Sequence, residues 1–222
     1  MSTLENVRKE IFDLTTQLVE VGLCIDQNFP ATRSYVGTDG SVTELNISGV
    51  SEISTALRQR PYAEIYSQFR EKRAYNVLLI DGAILQLKYR FQEDVLLKHV
   101  LAFFPSPNLL EYQSNPEIYE IDLLYADAIS KDLVTTPIRF DFDEKAFEEV
   151  HHPKSHFTIG QYKNCRIPVV GAITPFRFIN FVLRSFYNTP YRAYCEAWQG
   201  SAEDFPISVT DLEKEYLHLS FS

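Results

Sequence analysis

From Val150 to Cys195 the sequence contains no aspartate or glutamate, although the chain carries 30 acidic residues against 21 lysines and arginines and a formal net charge of −9. The same window holds Lys154, Lys163, Arg166, Arg177, Arg184 and Arg192, and three of the five histidines (His151, His152 and His156) stand at its start. A cationic stretch without carboxylates, inside an acidic chain, is where an anionic ligand is expected. The acidity elsewhere disfavours broad nonspecific binding of nucleic acid, which depends on positive potential, but leaves room for a local site.

Other scarcities narrow the class further. Cysteine is rare and dispersed, at Cys24, Cys165 and Cys195, with no C-x-x-C pair. That excludes a disulfide framework and the usual zinc-ribbon spacing, and points to a reducing, cytoplasmic setting. No apolar run approaches the ~20 residues that cross a bilayer, and MSTLENVRKE lacks the basic and apolar regions of a signal peptide, so no membrane partner is expected. There is no P-loop, no dinucleotide fingerprint and no G-x-S-x-G, so no cofactor is expected. What is abundant is the aromatic ring: 16 Phe and 13 Tyr in a chain 45% hydrophobic, enough for a real core.

Periodicity divides the chain into an amphipathic N-terminal helix within residues 1–27 and a single α+β domain over 28–222. Leu4, Val7, Ile11, Leu14, Leu18, Val21 and Ile25 recur at alternating 3-4 spacing, which predicts a helix over 3–27, capped by Ser2 or Thr3 and weakened at Gly22. The stripe reads as a core-facing seam, with a protein partner or a second copy as the other possible occupant. Residues 28–50 read as loop with weak strands and an Asp39-Gly40 turn. Arg60-Pro61 opens a short helix reaching about Lys72. Tyr75–Ile80, Asp81-Gly82 and Ile84–Phe91 form a hairpin signal that Leu96–Phe104 extends to a meander, stopped by Pro105-Ser106-Pro107. Residues 111–149 are acid-rich and include Tyr119–Tyr125, of undecided type. Pro137–Asp143 alternates cleanly, and Phe157–Tyr162 and Arg166–Val170 read as further strands. Thr174-Pro175 starts a helix through Tyr187 that places Phe178, Ile179, Val182, Leu183 and Phe186 on one side and Arg177, Asn180, Arg184 and Asn188 on the other. Pro190–Trp198 reads as a short helix and Tyr216–Phe221 as a closing strand. The expected fold is a mostly antiparallel β-meander sheet with N-terminal and C-terminal helices packed on it.

Reactive side chains are densest in RFDFDEKAFEEVHHPKSHFTIGQYKNCR, from Arg139 to Arg166. If the two strands at its ends are neighbours, as sequential strands usually are, the histidines return beside the carboxylates. Three uses follow. In metal-independent phosphodiester chemistry, His152 and His156 serve as acid and base, Asp141 orients an imidazole, and Arg139, Lys154 and Arg166 stabilise phosphoryl charge. A metal site from two imidazoles and Asp141 or Asp143 matches no known ligand spacing, and Pro153 breaks the helical His152/His156 geometry, so no metal ligands are assigned. In plain binding, the 151–192 surface, with Arg177 and Arg184 on the helix, docks an anionic or protein partner without turnover. Against all three stands the possibility that the Asp/Arg alternation forms only cross-strand ion pairs and the histidines serve backbone carbonyls.

The segments YNVLLIDGAILQLKY, AFFPSP, PIRFDFD, HHPKSHFTIGQYKNCRIP and TPFRFINFVLRSFYN resemble an uncharacterised bacterial family, a domain of unknown function, over roughly Arg60 to Thr189. More remotely, the order of strand, Asp-Gly turn, strand, Arg-x-Asp strand, His-Pro and His is similar to the TumE-type toxins of toxin–antitoxin pairs, matching at Arg139, Asp141, His152, Pro153 and His156. A long N-terminal helix, a longer loop after Asp143 and an extra C-terminal helical region depart from that pattern. The resemblance implies a bacterial toxin or defence setting, while the phosphodiester reading of the residues makes RNA or another phosphate-containing ligand the expected partner.

Overall fold

The structure, a computed structural model, describes residues 3–37, 40–47, 60–108, 121–127, 136–162 and 164–221. Helix α1, Leu4–Glu20, is capped by the Thr3 hydroxyl, which accepts from the Asn6 N–H; Ser2 lies outside the described residues. Its stripe of Val7, Ile11, Leu14 and Leu18 faces the chain's own core. The helix is shorter than the stripe predicts, because Gly22 adopts φ +79°. The Gly22 N–H then reaches Val19 C=O and the Leu23 N–H reaches Leu18 C=O, the double bond of a Schellman stop. Cys24–Gln27 is therefore a strand, β1, and not the helix's last turn.

Residues expected as loop with weak strands form a regular hairpin of seven-residue strands, β2 (Ala31–Gly37) and β3 (Gly40–Asn46); Asp39 of the anticipated turn lies outside the described residues. Helix α2 spans Tyr62–Glu71 behind Pro61. Strands β4 (Val77–Leu79), β5 (Ile84–Gln92) and β6 (Val95–Phe104) form the meander. Its Asp81-Gly82 turn is set by Gly82 at φ +85° and by the Asp81 carboxylate, which accepts from the Ala83 N–H. Then come β7 (Ile138–Asp143), β8 (Ser155–Ile159) and β9. Strand β9 is only Ile167–Pro168, shorter than expected, since a proline cannot donate to the ladder. Helix α3, Pro175–Phe186, starts on the Thr174 cap as its sequence predicts. A short α4 (Asn188–Pro190) runs into a π-helical turn, Tyr191–Cys195, where a short helix over Pro190–Trp198 was expected. Helix α5, Asp211–Lys214, precedes a tail that pairs with the sheet margin only through the Val169–Leu219 bridge, in place of a closing strand. Of Tyr119–Tyr125, residues 119 and 120 lie outside the described residues, and the remainder leads into turn.

Among the described residues the result is an α+β fold on one nine-stranded sheet, with neighbours in the order β1-β4-β5-β6-β7-β8-β9 and the β2–β3 hairpin joined to β5. All strand pairs in it are antiparallel. One sheet face carries Leu85, Leu87, Tyr89, Phe91, Leu101, Phe103, Ile138, Phe140 and Phe142, and the apolar sides of α1 and α3 close over it in the main core. Helix α2 covers part of the other face through Ile65 and Phe69 against Ile84, Ala102 and Phe104. Strand alternation thus sends Arg139, Asp141 and Asp143 to the face opposite α1 and α3.

Candidate functional site

Register brings the predicted residues together. Strands β7 and β8 pair so that Asp141 stands directly opposite His156 and Arg139 opposite Thr158. The connection between them is longer than a tight hairpin, but it ends in a small hairpin of its own: Glu148 and His152 exchange both backbone hydrogen bonds across Glu149-Val150-His151. This turn delivers His152 to His156, with ring centroids 5.0 Å apart and edge to face.

His156 is 4% exposed. Its Nδ1 lies 2.9 Å from Pro153 C=O, and since a carbonyl only accepts, that nitrogen carries the proton. The other nitrogen, Nε2, faces Asp141 Oδ2 at 3.7 Å. That is too long for a hydrogen bond but close enough for the carboxylate to favour an imidazolium. Burial nevertheless dominates and holds the His156 pKa below the ordinary imidazole value, with Asp141 and the Pro153 carbonyl opposing it and Arg166 and Arg139 assisting. His152 is half-buried, and its pKa is also lowered, first by burial and then by Arg166 and His156, against Asp143 and Asp141. Both rings are therefore neutral near pH 7.

The cations around this pair differ in how they are engaged. Arg139 forms an ion pair from Nη2 to Asp141 Oδ2 at 3.1 Å, and its Nε is buried with no hydrogen-bond partner. Arg166 donates to His151 C=O at 3.4 Å. Lys154 is turned to the connecting loop, paired with Glu144 at 3.1 Å and lying over the Phe147 ring. Lys98 from β6 pairs with Asp143 at 3.0 Å. Lys163 lies outside the described residues.

Arg177 is elsewhere engaged. It grips Asp204 through Nε and Nη2, both at 2.6 Å, and lies 4.5 Å from the centroid of the Phe221 ring, so it fastens the C-terminal tail to α3. Arg184 is exposed near the end of that helix. Among the described residues, no group of three His, Cys, Asp or Glu side chains is placed to hold a metal ion. All three cysteines are unpaired, and among the described residues no helix is long and apolar enough to cross a membrane.

Three residues that matter to this site or to its support had no signal in the sequence. Glu213, from α5, is fully buried and accepts from the Val150 N–H at the tip of the histidine turn. Val150 itself adopts φ +67°. A third, His99, lies in the core, where Nε2 accepts from the Ile173 N–H at 3.0 Å while the Tyr89 hydroxyl donates to Ile173 C=O at 2.9 Å. Together these two side chains fix the backbone just before α3.

The fold and this cluster define a class: an antiparallel-sheet α+β protein with two touching imidazoles and an aspartate on the outer face. The chain belongs to the DUF2290 family, described as an uncharacterized conserved protein, whose model matches residues 23–221. No curated protein and no solved structure matches it.

Proposed function

We propose that the protein is a metal-independent phosphodiester-cleaving enzyme acting on RNA. The observation that carries this reading is the contact of two neutral imidazoles, one opposite a carboxylate in sheet register, with arginines on both sides. His152, the more exposed ring, takes the proton of a ribose 2′-hydroxyl as that oxygen attacks the adjacent phosphorus. The P–O5′ bond breaks, and the leaving oxygen takes its proton from His156 in the minority of molecules where that ring is protonated, a form whose charge Asp141 offsets. The products are a 2′,3′-cyclic phosphate and a 5′-hydroxyl, with no net proton consumed. Arg166 and the partly exposed guanidinium of Arg139 are suited to the phosphoryl oxygens, where charge grows in the transition state.

The helix stripe does not carry the competing reading of a pure docking surface, because Arg177 is already held by Asp204 and Phe221. A toxin or defence role in a bacterial cytoplasm is supported by the resemblance to TumE-type toxins, and the reducing compartment by three unpaired thiols.

The test is cleavage of a single-stranded RNA by the purified chain, in parallel with its 2′-O-methyl analogue and with a chelator present. RNA should be cut to cyclic-phosphate ends with or without chelator, and the analogue left intact. His152→Ala and His156→Ala should each lose ~100-fold or more while keeping the wild-type circular dichroism. Absence of cleavage by the wild type, or full activity in the folded variants, overturns the reading.

A further inference from the structure

The turn that carries His152 is held in a conformation its own residues disfavour. Val150 at its tip has φ +67°. For a β-branched residue this left-handed conformation is a steric outlier. Two other residues besides glycines take positive φ among the described residues, Arg73 and Glu93, and both have unbranched Cβ atoms. Within residues 148–152 the paired bonds of Glu148 and His152 close the turn, and the His151 N–H reaches Glu149 C=O at 2.8 Å around Val150, a γ-turn whose strained central position a β-branched residue does not favour on its own.

A second hold on the tip, binding the N–H of Val150 itself, comes from the other end of the chain. The Val150 N–H donates to Glu213 Oε1 at 3.3 Å, across 63 residues of sequence. The other oxygen of the same carboxylate, Oε2, accepts from the Thr210 N–H at 3.0 Å, and the Glu213 N–H returns a bond to the Thr210 hydroxyl at 3.2 Å. Glu213 is 0% exposed, so no water competes for either oxygen. The segment bearing it is itself fastened to the sheet margin, by Ser208 N–H to Val170 C=O, Val170 N–H to Leu219 C=O and Leu219 N–H to Pro168 C=O. Arg166, beside β9, holds the adjacent His151 carbonyl.

We propose that Glu213 is a positioning residue that clamps Val150 in the left-handed state and thereby aims His152 at His156. Its catalytic consequence rests on the chemistry proposed for His152; its effect on the turn does not. A carboxylate suits the role because it offers an acceptor to each of two backbone N–H groups at once, one on the tail and one on the turn. An amide offers a single acceptor oxygen and must release one of them. The alternative, that Glu213 merely caps α5, predicts the same behaviour for loss of either half of the cap.

The experiment follows the His152 imidazole by NMR titration in the full-length wild type and in Glu213→Gln, Thr210→Ala, Val150→Gly and the Glu213→Gln/Val150→Gly pair. Glu213→Gln releases the turn, so the His152 midpoint should rise toward that of an ordinary imidazole as the ring leaves its half-buried place beside Arg166, His156, Asp143 and Asp141. Thr210→Ala, which weakens the cap but keeps the clamp, should leave that midpoint in place. Glycine takes the left-handed state without penalty, so Val150→Gly should return the double variant toward the wild-type midpoint. In RNA cleavage, Glu213→Gln should lower kcat ~10-fold or more with little change in KM.

A His152 titration unmoved by Glu213→Gln, or moved as far by Thr210→Ala, overturns the clamp, as does a double variant that fails to recover. If Glu213→Gln does not fold, amide exchange in the wild type decides instead: slow exchange at Val150 supports the clamp, and exchange as fast as in an open loop overturns it. A wild type that cleaves no RNA removes the proposed activity and leaves the titration result standing.

Discussion

His156 and His152 are pulled in the same direction by burial, and that common sign has a consequence for pH. Both pKa values lie below the ordinary 6.5. When one imidazole acts as base and its neighbour as acid, kcat/KM follows a bell whose centre is the mean of two macroscopic values, whichever ring holds the proton. With both lowered, the centre must fall on the acid side of 6.5, although a protein so rich in carboxylates offers other groups that titrate lower still. A pH–rate profile of RNA cleavage is the measurement. A bell centred above pH 7 would exclude these two rings as the acid–base pair, since it requires at least one imidazole raised by its surroundings. Asp141 is the group that keeps an imidazolium accessible at all, because its carboxylate opposes burial at His156 more strongly than any other neighbour.

At the scale of elements, α1 and α3 are tied by one carboxylate. Glu10, in the middle of α1 and 1% exposed, accepts from the Phe176 N–H at the start of α3 at 3.0 Å and from the Ser201 and Ala202 N–H groups at 2.7 and 2.8 Å. Desolvation raises its pKa against those three bonds. Replacing it by alanine leaves three donors unpaired inside the protein and should cost about 3 kcal/mol, read as a lower urea midpoint with an unchanged slope. Glu10→Gln retains one acceptor oxygen and should cost less. Equal midpoints for wild type and alanine variant would show that the interior of α1 does not depend on this tie.

Glu10 also marks where reading the sequence stops. The apolar stripe of α1, the Thr174-Pro175 start of α3, the Asp81-Gly82 turn and the alternation of β7 are all local patterns, and each appears in the fold because period and cap chemistry act over a few residues. So does the pairing of Asp141 with His156, since two strands joined by one connection tend to neighbour. Gly22 was legible as a weakness in the helix but not as its stop, because a Schellman bond pattern depends on the chain's next direction. Glu10, Glu213 and the Arg177–Asp204 grip bridge 27 to 192 residues, and nothing in an isolated carboxylate announces a partner that distant. The basic stripe of α3 is legible as one helix face, yet Asp204, which holds Arg177, lies in a segment with no periodic signal.

The whole molecule has a weak side toward acid, and its centre is His99. This ring sits between Tyr89 and Phe142 and is 1% exposed, with its pKa pulled down to about 3 by burial. Nε2 accepts from the Ile173 N–H, so Nδ1 holds the proton, and that atom has no hydrogen-bond partner. An imidazolium there would bring an uncompensated charge into the main core. The unfolded chain, by contrast, protonates His99 near 6.5, so stability is fully present above that pH and is lost as pH falls toward 3. Between pH 7 and pH 5 the loss from this one residue is about 2 kcal/mol, and the lowered values at His152 and His156 add to it with the same sign. The variant His99→Gln keeps an acceptor for Ile173 and has nothing to titrate. Its stability at pH 7 should be somewhat lower, but urea midpoints at pH 7 and pH 5 should lie closer together than in the wild type. If the two proteins lose equal stability over that interval, acid sensitivity comes from elsewhere, and the strand-to-helix junction at Ile173 is not its origin.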